Sequence, residues 1–134
     1  MTAATILTSF RAISGLTTVQ FADASVSDQA EPYAEDFYNE IMGASETIAS
    51  HTTDDYMIDR ALAFICVSYA YQDLYPKLVG PNGKSWWEME QIALSVMQKI
   101  EPSKVGFSTS SRDYYVLRKN RGNARFSVYA GGVS

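Results

Sequence analysis

The sequence contains little of the material from which most catalytic and metal sites are built. It has one cysteine, Cys66, and one histidine, His51. One cysteine excludes an internal disulfide framework, and one histidine excludes a site built from a histidine cluster. No carboxylate pair is accompanied by a Glu-x-x-His motif, and no serine stands in a Gly-x-Ser-x-Gly sequence. We therefore expect no enzymatic activity, no cofactor and no bound metal.

Long apolar runs and a leader sequence are also missing. The longest apolar run, from Ala61 to Val67, has seven residues, whereas a membrane-spanning helix needs about 20. The first eight residues contain no basic region followed by an apolar stretch and a cleavage site, so we expect no signal peptide and no membrane partner. The 134 residues, 46% of them apolar, suffice for one domain with its own core.

Charge is divided unevenly along the chain. Residues 1–102 carry 5 basic and 14 acidic side chains, a net charge of −9. Residues 103–134 carry 6 basic side chains and 1 acidic one, a net charge of +5. Such a division indicates a terminal segment with its own partner. It predicts a helical domain over residues 1–102 and a basic, aromatic C-terminal arm over residues 103–134.

The spacing of apolar residues predicts two helices in the middle of the chain. The first begins near Asp28, which has capping-box spacing with Glu31, and its apolar positions recur as far as Ile48. The second begins after Thr53 and is apolar almost all round from Ile58 to Tyr75. A helix without a polar face is typical of the centre of a domain.

A further helix is predicted on each side of this pair. Ser85 and Glu88 form a capping box, and Pro102 ends the helix that follows it. Residues 4–15 are a short helix or an extended arm, of which the pattern favours the helix, and residues 16–27 are expected to be a connection. The fold class is therefore mainly α: a small bundle of three to four helices with an extended C-terminal β-hairpin arm.

Three features suggest chemistry but have simpler interpretations. The Gly83-Lys84-Ser85 sequence resembles the end of a phosphate-binding loop, but the first glycine of that motif would fall at Leu78. A helix–helix turn is the better interpretation. Carboxylates one helical turn apart, Asp36 with Glu40 and Asp55 with Asp59, are expected on a solvated acidic face because no histidine accompanies them. Cys66 lies within the most apolar segment and is expected to be a small core residue.

Beyond Pro102 the pattern has a period of two residues. Residues 114–118 and 125–129 are typical of β-strands, and residues 119–124 of a hairpin loop between them. A lone two-stranded hairpin is marginally stable in water, so this one needs a surface or another chain. The candidate partner-binding residues are its cationic and aromatic side chains and one leucine: Arg112, Tyr114, Tyr115, Leu117, Arg118, Lys119, Arg121, Arg125, Phe126 and Tyr129.

Three partners suit such an arm. Cations and aromatic rings together are typical of nucleic-acid binding. An extended segment can also add a strand to the sheet of another protein. The arm can equally fold back on the acidic helices of its own subunit, and docking between subunits of an oligomer would satisfy the last two possibilities together.

The order of the helices adds a resemblance. An amphipathic helix over residues 33–45 precedes an alanine- and tyrosine-rich helix over residues 54–75, and a shorter helix over residues 86–100 precedes the extended arm. Over roughly residues 28–101 this pattern resembles the head–tail connector (adaptor) proteins of tailed bacteriophages.

The resemblance implies a structural protein of the virion neck, made in the host cytoplasm. It implies a ring, commonly of twelve copies, that lies beneath the portal protein and links it to a tail or neck protein. The C-terminal arm would contact the portal or a neighbouring subunit. DNA would cross the channel without sequence-specific binding. The alternative is a small helical nucleic-acid-binding or regulatory protein that uses the basic arm.

Overall fold

The computed structural model of the protein describes residues 3–45, 47–48 and 56–105, and this part is mainly helical. The mainly α class is confirmed, and the described residues include no β-strand. The predicted hairpin lies outside the described residues. The elements, in chain order, are α1 (Ala3–Ser14), α2 (Asp23–Ser25), a π-turn (Val26–Ala30), α3 (Glu31–Met42), α4 (Tyr56–Leu74) and α5 (Trp86–Ile100).

The helix predicted to begin near Asp28 begins earlier, at Asp23. The segment α2, the π-turn and α3 follow one another without a break, and no side chain caps the start of any of them. The capping box predicted at Asp28 and Glu31 is therefore wrong, as is a connection that continues to residue 27. The helix continues from Asp23 into α3 although it contains Pro32. In a regular α-helix the ring of Pro32 would clash with the carbonyl four positions earlier. The wider π-turn immediately before Pro32 lets the helix continue through it.

The same helix also ends earlier than its apolar spacing suggests. Gly43 follows α3 in the left-handed conformation, with φ of 62°, and its N–H bonds the carbonyl of Asn39. Glycine adopts this conformation without strain, so it ends the helix. Ile48 is nevertheless buried, which shows that it reaches the core from the loop and not from the helix.

Helix α4 lies at the centre of the bundle, as predicted. It packs against α1, α3 and α5, and every residue from Ala61 to Ser68 is buried. Helix α4 has no polar side because other helices pack around it. The helix ends at Leu74, just before the predicted Tyr75-Pro76 end.

Helices α1 and α5 complete the bundle close to their predicted bounds. Gly15, with φ of 71°, ends α1. Ser85 and Glu88 form the predicted capping box at the start of α5. The chain after α5 stays on the body for a few residues, because Val105 is 2% exposed and belongs to the core.

Several helix ends meet at one end of the bundle. The Tyr71 hydroxyl, near the end of α4, donates a 2.6 Å hydrogen bond to the carbonyl of Ser14 at the end of α1. The ring of Tyr33, near the start of α3, lies 5.1 Å from that of Tyr69 in α4. The connection from α4 to α5, residues 75–85, lies at this same end.

Candidate functional site

The arm residues predicted to bind a partner cannot be placed by the described part of the chain. All ten lie beyond residue 105, so their interactions stay predictions. They are Arg112, Tyr114, Tyr115, Leu117, Arg118, Lys119, Arg121, Arg125, Phe126 and Tyr129.

The described residues show how the cysteine and the carboxylates are placed. Cys66 is fully buried, as predicted for a core residue, and burial raises the pKa of its thiol well above the ordinary value. Within the described ranges no group of three or more His, Cys, Asp or Glu side chains is placed to hold a metal ion. In the same part of the chain no helix is long and apolar enough to cross a membrane.

A recess of about 280 Å³ lies between α1 and α4. The polar residues that line it include Thr5, Ser9, Asp59 and Arg60. The described lining contains no histidine, cysteine or lysine. Asp59 is 8% exposed, which makes the prediction of a solvated face wrong at this residue. The described chain places Asp59 on the enclosed helix α4, where helical spacing alone does not reveal burial.

The most enclosed acidic residue in the described chain is Glu90 on α5, which is 0% exposed. Its Oε2 atom accepts hydrogen bonds from the Tyr33 hydroxyl at 3.0 Å, the Ser68 hydroxyl at 3.1 Å and the Gln72 amide at 3.1 Å. These donors come from α3 and α4, so one carboxylate oxygen joins three helices. We refer to Tyr33, Ser68, Gln72 and Glu90 as the Glu90 cluster.

Further hydrogen bonds connect the members of the Glu90 cluster to each other. The Gln72 amide lies 3.2 Å from the Tyr33 hydroxyl and 3.2 Å from the Ser68 hydroxyl. Buried polar groups cost free energy unless their hydrogen bonds are satisfied, and a connected network fixes one arrangement of its helices. Glu90 is 0% exposed, so its carboxylate serves to position the helices that donate to it.

The sequence analysis missed Glu90, although its spacing carried a signal. Trp86, Ala93 and Met97 belong to the apolar stripe of α5, and Glu90 lies on the same side at intervals of three or four residues from its members. A charged residue within an apolar stripe indicates a buried polar cluster. On α3, Glu31 lies three residues before the buried Ala34 and so on the same side of the helix. Glu31 is only 6% exposed.

The carboxyl group of Glu31 is a second buried acid. Burial first, and then the negative charge of Glu35, raise its pKa from 4.5 to about 7. Glu35 has a structural role of its own, because its Oε2 accepts a 3.1 Å hydrogen bond from the N–H of Ile48. The start of α3 therefore contains an acid that is half ionised near neutral pH.

The connection between α4 and α5 is the helix–helix turn predicted, and hydrogen bonds fix its backbone. The N–H of Gly80 bonds the carbonyl of Lys84 at 2.8 Å, and the Trp86 indole N–H bonds the carbonyl of Pro76 at 3.1 Å. The Asn82 amide donates to the carbonyl of Ile13 in α1 at 3.2 Å. A helix precedes this turn, whereas a phosphate-binding loop follows a strand.

This rigid loop exposes apolar side chains. Leu78 is 69% exposed and Val79 is 54% exposed. Lys77 and Lys84 on either side of them are also exposed. We refer to Lys77, Leu78, Val79 and Lys84 as the loop surface. Adjacent exposed aliphatic side chains on a fixed backbone are typical of a contact surface.

Helix α3 exposes a surface of the opposite charge. Its buried side includes Ala34 and Phe37, whereas Pro32, Asp36 and Glu40 are exposed at intervals of four residues. We refer to Pro32, Asp36 and Glu40 as the α3 outer face. The solvated acidic face predicted for Asp36 and Glu40 is confirmed.

No known protein family matches the chain, nor does any curated protein or solved structure.

Proposed function

We propose that the protein is a structural subunit of a bacteriophage virion, a head–tail connector that forms a ring beneath the portal and links it to the tail. The basic C-terminal arm, with its β-hairpin over residues 114–129, contacts the portal or a neighbouring subunit. The protein is not an enzyme and binds no cofactor.

The observation that carries the proposal is the division of charge between helices and arm. The helical residues 1–102 have a net charge of −9, and residues 103–134 have a net charge of +5. Val105 is buried in the bundle, so the chain is attached to the acidic body as far as residue 105. An acidic body and a basic extension of the same chain favour association between copies.

The order of the helices supports the same function. The described helices α3, α4 and α5 occupy the positions of the three helices on which the resemblance to connector proteins rests. The Glu90 cluster joins these three helices, which gives a subunit of one defined shape. An acidic channel wall would repel the DNA duplex and let it slide through.

Native mass spectrometry and negative-stain electron microscopy of the full-length protein test the proposal. We expect rings, either for the protein alone at high concentration or after mixing with the portal protein encoded by the same genome. A protein that stays monomeric under both conditions is not a connector.

The second candidate function is nucleic-acid binding or regulation through the arm. The interleaving of Arg118, Lys119 and Arg121 with the aromatic residues Tyr115 and Phe126 favours it. Binding to a labelled duplex and to a labelled single strand, measured between about 50 and 200 mM salt, tests it because phosphate contacts weaken steeply with salt. Absence of binding at the lowest salt removes this candidate.

A further inference from the structure

We propose that the loop surface of one copy docks on the α3 outer face of a second copy. This contact rests on the proposed ring, and it names the part of the body through which neighbouring subunits meet.

The apolar part of the contact comes from Leu78 and Val79. Their exposed fractions, 69% and 54%, leave two neighbouring aliphatic side chains in water. The backbone beneath them is already fixed by the hydrogen bonds of Gly80 and Trp86. A fixed loop loses little conformational freedom on binding, so burial of these side chains contributes to affinity with a small entropic cost.

The charged part of the contact is complementary. Lys77 and Lys84 add two positive charges beside Leu78 and Val79, and Asp36 and Glu40 place two negative charges on α3. Pairs of exposed charges add little affinity, but their signs decide which surfaces can approach each other. The exposed ring of Pro32, one turn before Asp36, provides apolar area on the acidic side for the aliphatic side chains of the loop.

Within one copy the described charged side chains of the two surfaces form no ion pair with each other. The ion pair found among the described residues joins Arg11 to Asp23 and involves neither surface. In the ranges 3–45, 47–48 and 56–105 there is no ion pair from Lys77 or Lys84 to Asp36 or Glu40. The Glu90 cluster joins α3, α4 and α5, so α3 and the loop between α4 and α5 keep one relative position. Opposite charges that form no ion pair within one subunit are available to pair between two.

The contact joins two different surfaces, which gives it a direction. Such a heterologous contact leaves one free surface of each kind on every pair of copies. Repetition adds further copies until the ring closes, as the proposed function requires. A two-fold symmetric contact would instead stop at a dimer.

Charge reversal on the full-length protein tests the contact. The variants are K77E/K84E, D36K/E40K and the combination of all four substitutions. Association is measured by sedimentation equilibrium and native mass spectrometry, under whichever of the two conditions above assembles the wild type. We expect each double variant to weaken association by about tenfold or more and the fourfold variant to recover most of the loss, because reversal on both sides restores opposite signs.

Matched controls distinguish the effect of reversing a charge anywhere on the protein from the effect of reversing a charge within the proposed contact. K99E and E101K reverse exposed charges near the end of α5, outside both surfaces, and are expected to associate like the wild type. L78S/V79S removes the apolar contribution without changing charge and is expected to weaken association. Circular dichroism of every variant verifies that the helices are retained, since all the substituted residues are exposed.

The possible results separate this contact from the proposed function. If the wild type forms rings and none of the loop variants changes them, the contact is wrong and the connector proposal stands. A monomeric wild type under both conditions overturns both. A third result is that D36K/E40K weakens association, whereas K77E/K84E does not, and that the fourfold variant shows no recovery. In that case the contact is wrong, and the α3 outer face binds the basic residues 106–134 instead. If K77E/K84E and L78S/V79S weaken association but D36K/E40K does not, the loop surface binds some other part of the neighbouring copy.

Discussion

The Tyr33 hydroxyl donates a 3.0 Å hydrogen bond to Oε2 of Glu90, although the two residues are 57 positions apart in the sequence. Tyr33 belongs to α3 and Glu90 to α5, and both helices lie beside α4. Ser68 and Gln72 of α4 donate to the same oxygen. The carboxylate therefore fixes the register of three helices at once, which apolar contacts alone specify less sharply.

Removal of this carboxylate is expected to be costly. Glu90→Ala leaves the part-buried Tyr33 hydroxyl and the buried Ser68 hydroxyl without this acceptor, so the free energy of unfolding should fall by about 2–4 kcal/mol. Glu90→Gln keeps the shape and one acceptor oxygen and should cost less. Urea denaturation followed by circular dichroism measures both. The exposed Glu101→Gln serves as control, and an alanine variant as stable as this control would contradict the role of the cluster.

The bundle could be predicted from the sequence wherever the signal was local. The capping box of Ser85 and Glu88, the helix-ending Gly15 and the apolar run around Phe64 each act within a few residues. Such signals reflect the hydrogen bonding and burial of one helix, so they can be recognised in the sequence without knowing which helices pack against it. This is why α1, α4 and α5 lie close to their predicted bounds.

The failures occurred where the deciding interaction comes from elsewhere. The π-turn before Pro32 shows that a helix can absorb a proline that local rules place at its start. The burial of Asp59 and Glu90 depends on which helices cover α4 and α5. Surfaces such as Leu78 with Val79 become visible only once the bundle shows what it leaves exposed.

The capping box gives a prediction for α5. Ser85 Oγ accepts a hydrogen bond from the N–H of Glu88, and Ser85→Ala removes this acceptor at the helix start. We expect a loss of about 1 kcal/mol in the free energy of unfolding. Ser95→Ala, at an exposed position of the same helix, is the matched control and should change stability by less. Equal effects of the two substitutions would show that the cap contributes nothing.

Close packing at Gly80 gives a second prediction for this region. A Cβ atom on Gly80 would collide with the ring of Tyr71, and the Tyr71 hydroxyl is held by the carbonyl of Ser14. Gly80→Ala should therefore lower the free energy of unfolding by about 2 kcal/mol or more, because the core has no room to move the ring. A Cβ on Gly83 meets no atom within 4 Å, although its φ of 80° strains other residues. Gly83→Ala should cost about 1 kcal/mol, and thermal unfolding distinguishes the two.

Glu31 makes stability depend on pH in the direction opposite to that of most acids. Its pKa rises from 4.5 to about 7 on folding, chiefly because the side chain is buried. Between these values the folded protein holds a proton that the unfolded chain has lost. The contribution of Glu31 to stability is therefore complete below about pH 4.5 and is lost as pH rises to about 7, a change of about 3 kcal/mol.

The variant Glu31→Gln isolates this effect because glutamine does not ionise. The difference in the free energy of unfolding, variant minus wild type, should increase by about 3 kcal/mol between pH 4.5 and pH 8. Urea denaturation at several pH values measures it, with the exposed Asp36→Asn on the same helix as control. The control should keep the pH dependence of the wild type. A difference between Glu31→Gln and wild type that stays constant with pH would show that folding does not shift the pKa of Glu31.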